Sequence, residues 1–115
     1  MKIKSTFTTY YLASEKGKNK MLDIRYYTFL KVYETLNYTR AAEELHITQP
    51  TVSQHIAYIE RNHNVKLFRT SHRQTIALPA ADYLYIRTKK LAGMSASVVD
   101  KIHEITASEA DITKK

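Results

Sequence analysis

Residues Tyr38-Thr39-Arg40-Ala41-Ala42-Glu43-Glu44-Leu45-His46-Ile47-Thr48-Gln49-Pro50-Thr51-Val52-Ser53-Gln54-His55-Ile56 read as two short helices joined by a tight turn. Asn37, just ahead, has the short polar side chain of an N-cap, and Tyr38–Leu45 then supplies about two turns. His46 and Ile47 leave little room for a connector. Thr48 is a second cap signal, and Pro50 falls in the first turn of the next helix, where its missing N–H costs nothing. That helix is expected from Gln49 to about Asn62, with Val52, Ile56 and Ile59 on its apolar side. Small Ala42 lets the two helices approach, with Leu45, Ile47, Val52 and Ile56 between them. The remaining face carries Gln49, Thr51, Ser53, Gln54 and His55. Such amides and hydroxyls suit base edges: Gln pairs bidentately with adenine, Ser and Thr pair flexibly, and Pro50 offers apolar surface to a thymine methyl. A recognition helix presents its N-terminal residues to the bases. An ordinary solvated helix surface would carry the same residue types.

Upstream, Tyr26, Phe29, Leu30, Tyr33 and Leu36 recur on one face of a 3.6-residue period, with Asp23 as N-cap. Downstream, Asn64 tolerates the left-handed conformation of a helix C-cap. Val65, Leu67 and Phe68 on one side and Thr75–Leu78 on the other then flank Arg69–Gln74, which predicts a short hairpin with a basic tip. After Pro79, Leu84, Leu91, Val98 and Ile105 recur every seventh residue, joined by Met94 and Ile102. This spacing predicts a long helix with an apolar stripe for a partner helix, although covering the domain's own core is the alternative. Gly93 weakens it by about 1 kcal/mol against Ala. The expected organisation is a basic arm at 1–20, a three-helix domain with a hairpin wing at 21–79, a long helix at 80–106, and a frayed tail at 107–115.

Composition excludes several classes. At 115 residues, with 43% hydrophobic and 25% charged positions, the chain has room for one packed domain. The absence of Cys leaves no disulfide framework, thiolate zinc site or Cys nucleophile, and fits a reducing cytosol. Two Gly and two Pro favour helices. The net charge of +7 divides as +4 in residues 1–20, +2 in 21–79 and +1 in 80–115, and points to phosphates or an anionic membrane surface. Thr and Ser interrupt the only leader-like segment, Ser5–Ala13, and no run is long enough to span a membrane. Histidines 46, 55, 63, 72 and 103 stand at no metal-ligand spacing, so no metal or other cofactor is expected. With no Gly-rich phosphate loop and no paired carboxylates in a recognisable cleft, no enzyme is expected.

The stretch 38–56 also resembles the helix-turn-helix of LysR-type transcriptional regulators. The alanine pair, Leu-His-Ile, Thr-Gln-Pro and Val-Ser share one register, flanked by Phe29 and Val32 upstream and Ile59-Glu60 and Leu67-Phe68 downstream. The resemblance covers about residues 21–90 and implies a mainly α winged helix-turn-helix followed by a dimerising linker helix. It implies that Gln49, Pro50, Ser53 and Gln54 contact bases, with Thr51 a further candidate; relatives often carry Arg at position 54, so Gln54 shifts base preference. The usual Leu-Phe-x-Arg is here Leu67-Phe68-Arg69-Thr70, leaving Arg69 to serve or not as the wing arginine. Asn64 replaces a family Gly, and Pro79-Ala80-Ala81-Asp82 replaces Thr-x-x-Gly. Such chains ordinarily start near Met21, which makes residues 1–20 an extension or an upstream-start artefact. No counterpart of the family's effector-sensing domain, and no small-molecule site, is expected in these residues.

The expected function is sequence-specific regulation of transcription by a dimer on an interrupted dyad of double-stranded DNA, in the cytoplasm at the nucleoid. Arg40, Thr48, Arg69, His72 and Arg73 are candidates for backbone or wing contacts, and Leu84, Leu91, Met94, Val98, Ile102 and Ile105 for the dimer. Three alternatives stand beside it: a truncated antagonist that pairs with a full-length relative, a protein-binding adaptor on the same scaffold, and a membrane-surface role for the basic arm, against which residues 1–20 show no amphipathic stripe.

Overall fold

The computed structural model describes residues 21–113; the arm expected at 1–20 lies outside them. Helix α1 spans Ile24–Thr35, α2 Tyr38–Leu45 and α3 Gln49–His63; strands β1 (Phe68–Ser71) and β2 (Gln74–Ala77) follow, and α4 runs Pro79–Thr113. The cap signals hold atom by atom. Asp23 Oδ1 accepts from the Arg25 amide at 2.9 Å, Asn37 Oδ1 from the Arg40 amide at 2.9 Å, and Thr48 Oγ1 from the Thr51 amide at 3.3 Å. With glycine scarce, the first three helices end on left-handed Leu36 (φ 51°), His46 (φ 60°) and Asn64 (φ 53°). At His46 the chain turns at once: its amide reaches the carbonyls of Ala42 and Glu43, and the Ile47 amide returns to Ala42 at 3.0 Å.

The core joins Phe29, Leu30 and Val32 of α1 to Ala41, Ala42 and Leu45 of α2, Val52, Ile56 and Ile59 of α3, Leu67, Phe68, and Ala81 and Ala92 of α4. One expectation about α1 needs correction. Residues 27–32 are buried without interruption, whereas Leu36, assigned to its apolar face, is exposed and ends the helix. The reason is that α1 packs against α4 as well as against α2 and α3, so its central turns are buried on more than one face. Lys31 is buried there and pairs with Glu44 of α2 at 3.2 Å. Burial opposes the Glu44 carboxylate, but hydrogen bonds from Lys31 and Arg40 outweigh it and hold its pKa below the ordinary value.

The hairpin is tighter than expected. Arg69 pairs with Ile76, Thr70 with Thr75 and Ser71 with Gln74, so most of the supposed tip is strand and the turn is His72-Arg73 alone. Both residues have positive φ, 51° and 65°, the mirror-image geometry that two-residue hairpins require. Two contacts seat the wing on the domain: Glu60 Oε2 accepts from the Leu67 amide at 2.8 Å, and the Phe29 and Phe68 rings meet with centroids 5.8 Å apart.

Helix α4 extends past the end expected near Thr106. Its body-facing line is Ala81, Thr88 and Ala92, all buried. Leu84 also packs against the domain's own core, which separates it from the rest of the apolar stripe. Leu91, Met94, Val98, Ile102 and Ile105 are 41–63% exposed. At about 100° per residue they occupy an arc of roughly 80°, centred about 100° from the body-facing line.

Candidate nucleic-acid interface

The first turns of α3 hold two kinds of candidate. Pro50 and Gln54 stand exposed on the outer side of the helix, with Arg61 two turns further on. Gln49 and Ser53 lie on a flank, where Gln49 Nε2 donates to Ser53 Oγ at 3.1 Å, so the amide is oriented before any ligand arrives. This flank opens into a groove of about 490 Å³ lined by α2's start at Tyr38 and Thr39, by Gln49 and Ser53, and by Thr70, Arg73 and Thr75 of the wing. Thr39, Thr70 and Thr75 were not singled out by sequence, because their placement depends on how the wing folds back beside α3. Tyr38 closes the inner end, edge-on to Phe68 with centroids 6.2 Å apart, and burial followed by the nearby Glu60 carboxylate pushes its pKa up to about 12.

Other candidates separate from this group. Thr48 and Thr51 are tied together, hydroxyl to hydroxyl at 2.8 Å, and serve the α3 cap. Arg40 is exposed beside the α2 N-terminus, with its Nε bonded to Glu44 at 3.1 Å. His72 sits at the wing tip with Nδ1 3.2 Å from Ser71 Oγ. Successive strand residues face opposite sides, so Arg69 projects from the side of β1 opposite Thr70 and does not line the groove. Arg73 does. His55 does not belong to the exposed face on which sequence reading placed it. Its Nδ1 lies 2.8 Å from Thr28 Oγ1 in the packing of α1 on α3, and burial, then the nearby Arg25 charge, lowers its pKa.

Among the described residues no group of three or more His, Cys, Asp or Glu could hold a metal ion, and no helix is long and apolar enough to cross a membrane.

Residues 25–82 match the lysR family of bacterial regulatory helix-turn-helix proteins. The HTH-type transcriptional regulator CysL of Bacillus subtilis is 41% identical over 64 residues, covering 56% of this chain and 21% of CysL. A LysR-family transcriptional regulator from Eggerthella lenta, known as a crystal structure, is 51% identical with a TM-score of 0.57, covering 60% of this chain and 99% of that one. The BenM_DBD/catB site 1 DNA complex aligns at 25% identity with a TM-score of 0.69, covering 74% of this chain and 91% of that one. CysL and the Eggerthella lenta protein are transcriptional regulators rather than enzymes, and the chain spans about a fifth of the length of CysL. With the two capped helices, the turn on His46 and the paired wing all inside the matched residues 25–82, and a long helix following, the chain belongs to the LysR family of bacterial helix-turn-helix regulators and carries its winged DNA-binding domain.

Proposed function

We propose that this chain is a sequence-specific reader of double-stranded DNA that regulates transcription, pairing with a second copy through α4 to straddle an interrupted inverted repeat. The observation that carries the reading is the convergence of the oriented Gln49–Ser53 pair and Arg73 on one groove, beside exposed Pro50 and Gln54. In this reading Gln49, Ser53 and Gln54 address base edges and Pro50 meets a thymine methyl, with Thr51 adjoining them from the cap. Arg73, His72, Arg40, Thr48 and, on the wing's other side, Arg69 position the duplex through its phosphates. The net charge of +7 supplies the attraction that precedes reading. A relative's binding domain held on DNA supports the docking. The exposed stripe of Leu91, Met94, Val98, Ile102 and Ile105 supports the pairing, since a second α4 would cover it. The work is then done at the nucleoid in the cytoplasm, with no effector site needed inside this domain.

The test is Gln49→Ala on the preferred duplex. A loss of about 1–3 kcal/mol with relaxed discrimination at one base position supports the reading. Unchanged affinity and unchanged preference remove Gln49 from the reading set.

A further inference from the structure

We infer that Tyr33 and Glu34 of α1, with Asp82, Tyr85 and Lys89 of α4, form a latch that fixes the angle of the long helix and thereby selects the spacing between half-sites rather than their sequence. The inference rests on the paired DNA-reading proposal and adds to it the residues that set its geometry.

The packing of α4 on α1 is by itself a poor angular constraint. Its fully buried residues Ala81, Thr88 and Ala92 are small, and small side chains make shallow ridges that seat in neighbouring grooves at more than one angle; the larger Leu84 and Tyr85 are only partly buried against the body. Hydrogen bonds are directional, and two of them cross this contact. Tyr33 Oη donates to Asp82 Oδ1 at 2.7 Å, and Tyr85 Oη donates to Glu34 Oε2 at 2.8 Å. The two tyrosine rings stack between these bonds, with centroids 4.2 Å apart and planes 14° from parallel. Lys89 Nζ approaches the same Glu34 oxygen at 3.8 Å. Contacts at three positions over two turns of α4 hold both its rotation and its tilt.

The latch also reaches the reading helices. Lys31 Nζ lies 3.8 Å from Glu34 and 3.2 Å from Glu44, and Glu44 in turn bonds Arg40 at 3.1 Å. A run of charge pairs therefore connects α4 through α1 to α2, whose N-terminus borders the groove. Burial, then the Glu34 carboxylate, pushes the Tyr85 hydroxyl's pKa upward, so it stays a donor wherever Glu34 is ionised.

The reach of α4 makes its angle consequential. Beyond Ala92, the last buried residue of α4 among those whose burial is described, the helix continues to Thr113, a projection of about 30 Å at 1.5 Å per residue. A tilt of about 10° at its base moves the far end by roughly 5 Å, about one and a half base pairs at 3.4 Å each. Two such helices paired along their stripes hold the two recognition helices at one separation only while both latches are closed.

The experiment uses the full chain and inverted copies of its preferred half-site, with spacers lengthened one base pair at a time and binding followed by fluorescence anisotropy. Tyr85→Phe and Tyr33→Phe each remove one hydroxyl and keep the stack. Wild type is expected to show one sharp spacing optimum. In the variants the advantage of that spacing over its neighbours should fall at least about threefold, with affinity for an isolated half-site and dimer mass unchanged. Spacing profiles that match wild type in both variants would overturn the latch, as would a loss of half-site affinity in parallel. A wild-type chain that binds half-sites with no spacing optimum would overturn the pairing on which it rests.

Discussion

Arg73→Gly should make the domain more stable and a weaker DNA binder, two effects of opposite benefit from one side chain. Arg73 is held at φ 65° in the two-residue wing turn. The left-handed conformation costs a residue with a Cβ about 1–2 kcal/mol, and glycine gives back up to about 1 kcal/mol through the freedom of its unfolded chain. The net gain is about 0.5–1 kcal/mol, a rise of roughly 2–8 °C in Tm for a domain of this size. The same change deletes the guanidinium that lines the groove beside Gln49 and Ser53. Loss of one phosphate contact should weaken binding by about 1–2 kcal/mol and lower the slope of log affinity against log salt by about 0.9. Arg69→Ala is the companion measurement, because Arg69 projects from the opposite side of the wing and does not line the groove; its phosphate contact is the more peripheral, and its loss should weaken binding by less than the loss of Arg73. Urea unfolding and anisotropy over a salt series on both variants read all of these quantities. A destabilised Arg73→Gly protein would refute the strain argument, and a larger binding loss from Arg69→Ala than from Arg73→Gly would refute the assignment of the groove.

Three further outcomes follow from particular contacts. His55 has a lowered pKa in the folded chain, so the unfolded chain binds its proton more readily: the stability tied to neutral His55 is complete above its ordinary value of 6.5 and is lost as pH falls through the lowered folded value. Urea midpoints between pH 7.5 and 5 should therefore drop with acid, and His55→Asn, which keeps a polar partner for Thr28, should flatten that slope; parallel slopes would exclude His55 as its source. Leu91→Glu with Val98→Glu should give monomers in sedimentation while leaving the body folded, since both side chains are exposed in the single chain; an unchanged dimer mass would place the pairing elsewhere. A Cβ at Gly93 would meet nothing within 4 Å, so Gly93→Ala should raise α4 helicity, by about 1 kcal/mol of local stability, visible by circular dichroism and amide exchange around residue 93; slower binding or lost pairing would instead show that a partner approaches that backbone.

Much of the domain was legible because the signals were local. Asn37, Thr48 and Asn64 declare helix ends through the chemistry of a single side chain, and the structure has each in that role. The heptad spacing of Leu84, Leu91, Val98 and Ile105 likewise announced a long helix. What escaped depended on contacts distant in sequence. Nothing in the neighbourhood of His55 signals Thr28, twenty-seven positions away, so an interhelical histidine was read as part of an exposed face. The wing turn was drawn six residues wide because Arg69–Gln74 lacks apolar residues, yet a two-stranded ladder needs no apolar residue on its exposed side, and pairing continues to Ser71 and Gln74. Leu84 keeps the heptad phase but lies where α4 still touches the body, so periodicity alone could not distinguish it from Leu91. The Tyr33–Asp82 and Tyr85–Glu34 bonds link residues about fifty positions apart and left no sequence mark at all.

The most direct test of the central claim is selection of binding sites from random-sequence duplex DNA with the full chain, followed by anisotropy on the enriched sequence across a salt series. The account predicts an interrupted inverted repeat, and affinity that falls steeply with salt, by about 0.9 in log–log slope for each phosphate neutralised. Retained, salt-sensitive binding with no enriched motif would contradict sequence reading by the α3 face, and absence of DNA binding would contradict the account as a whole.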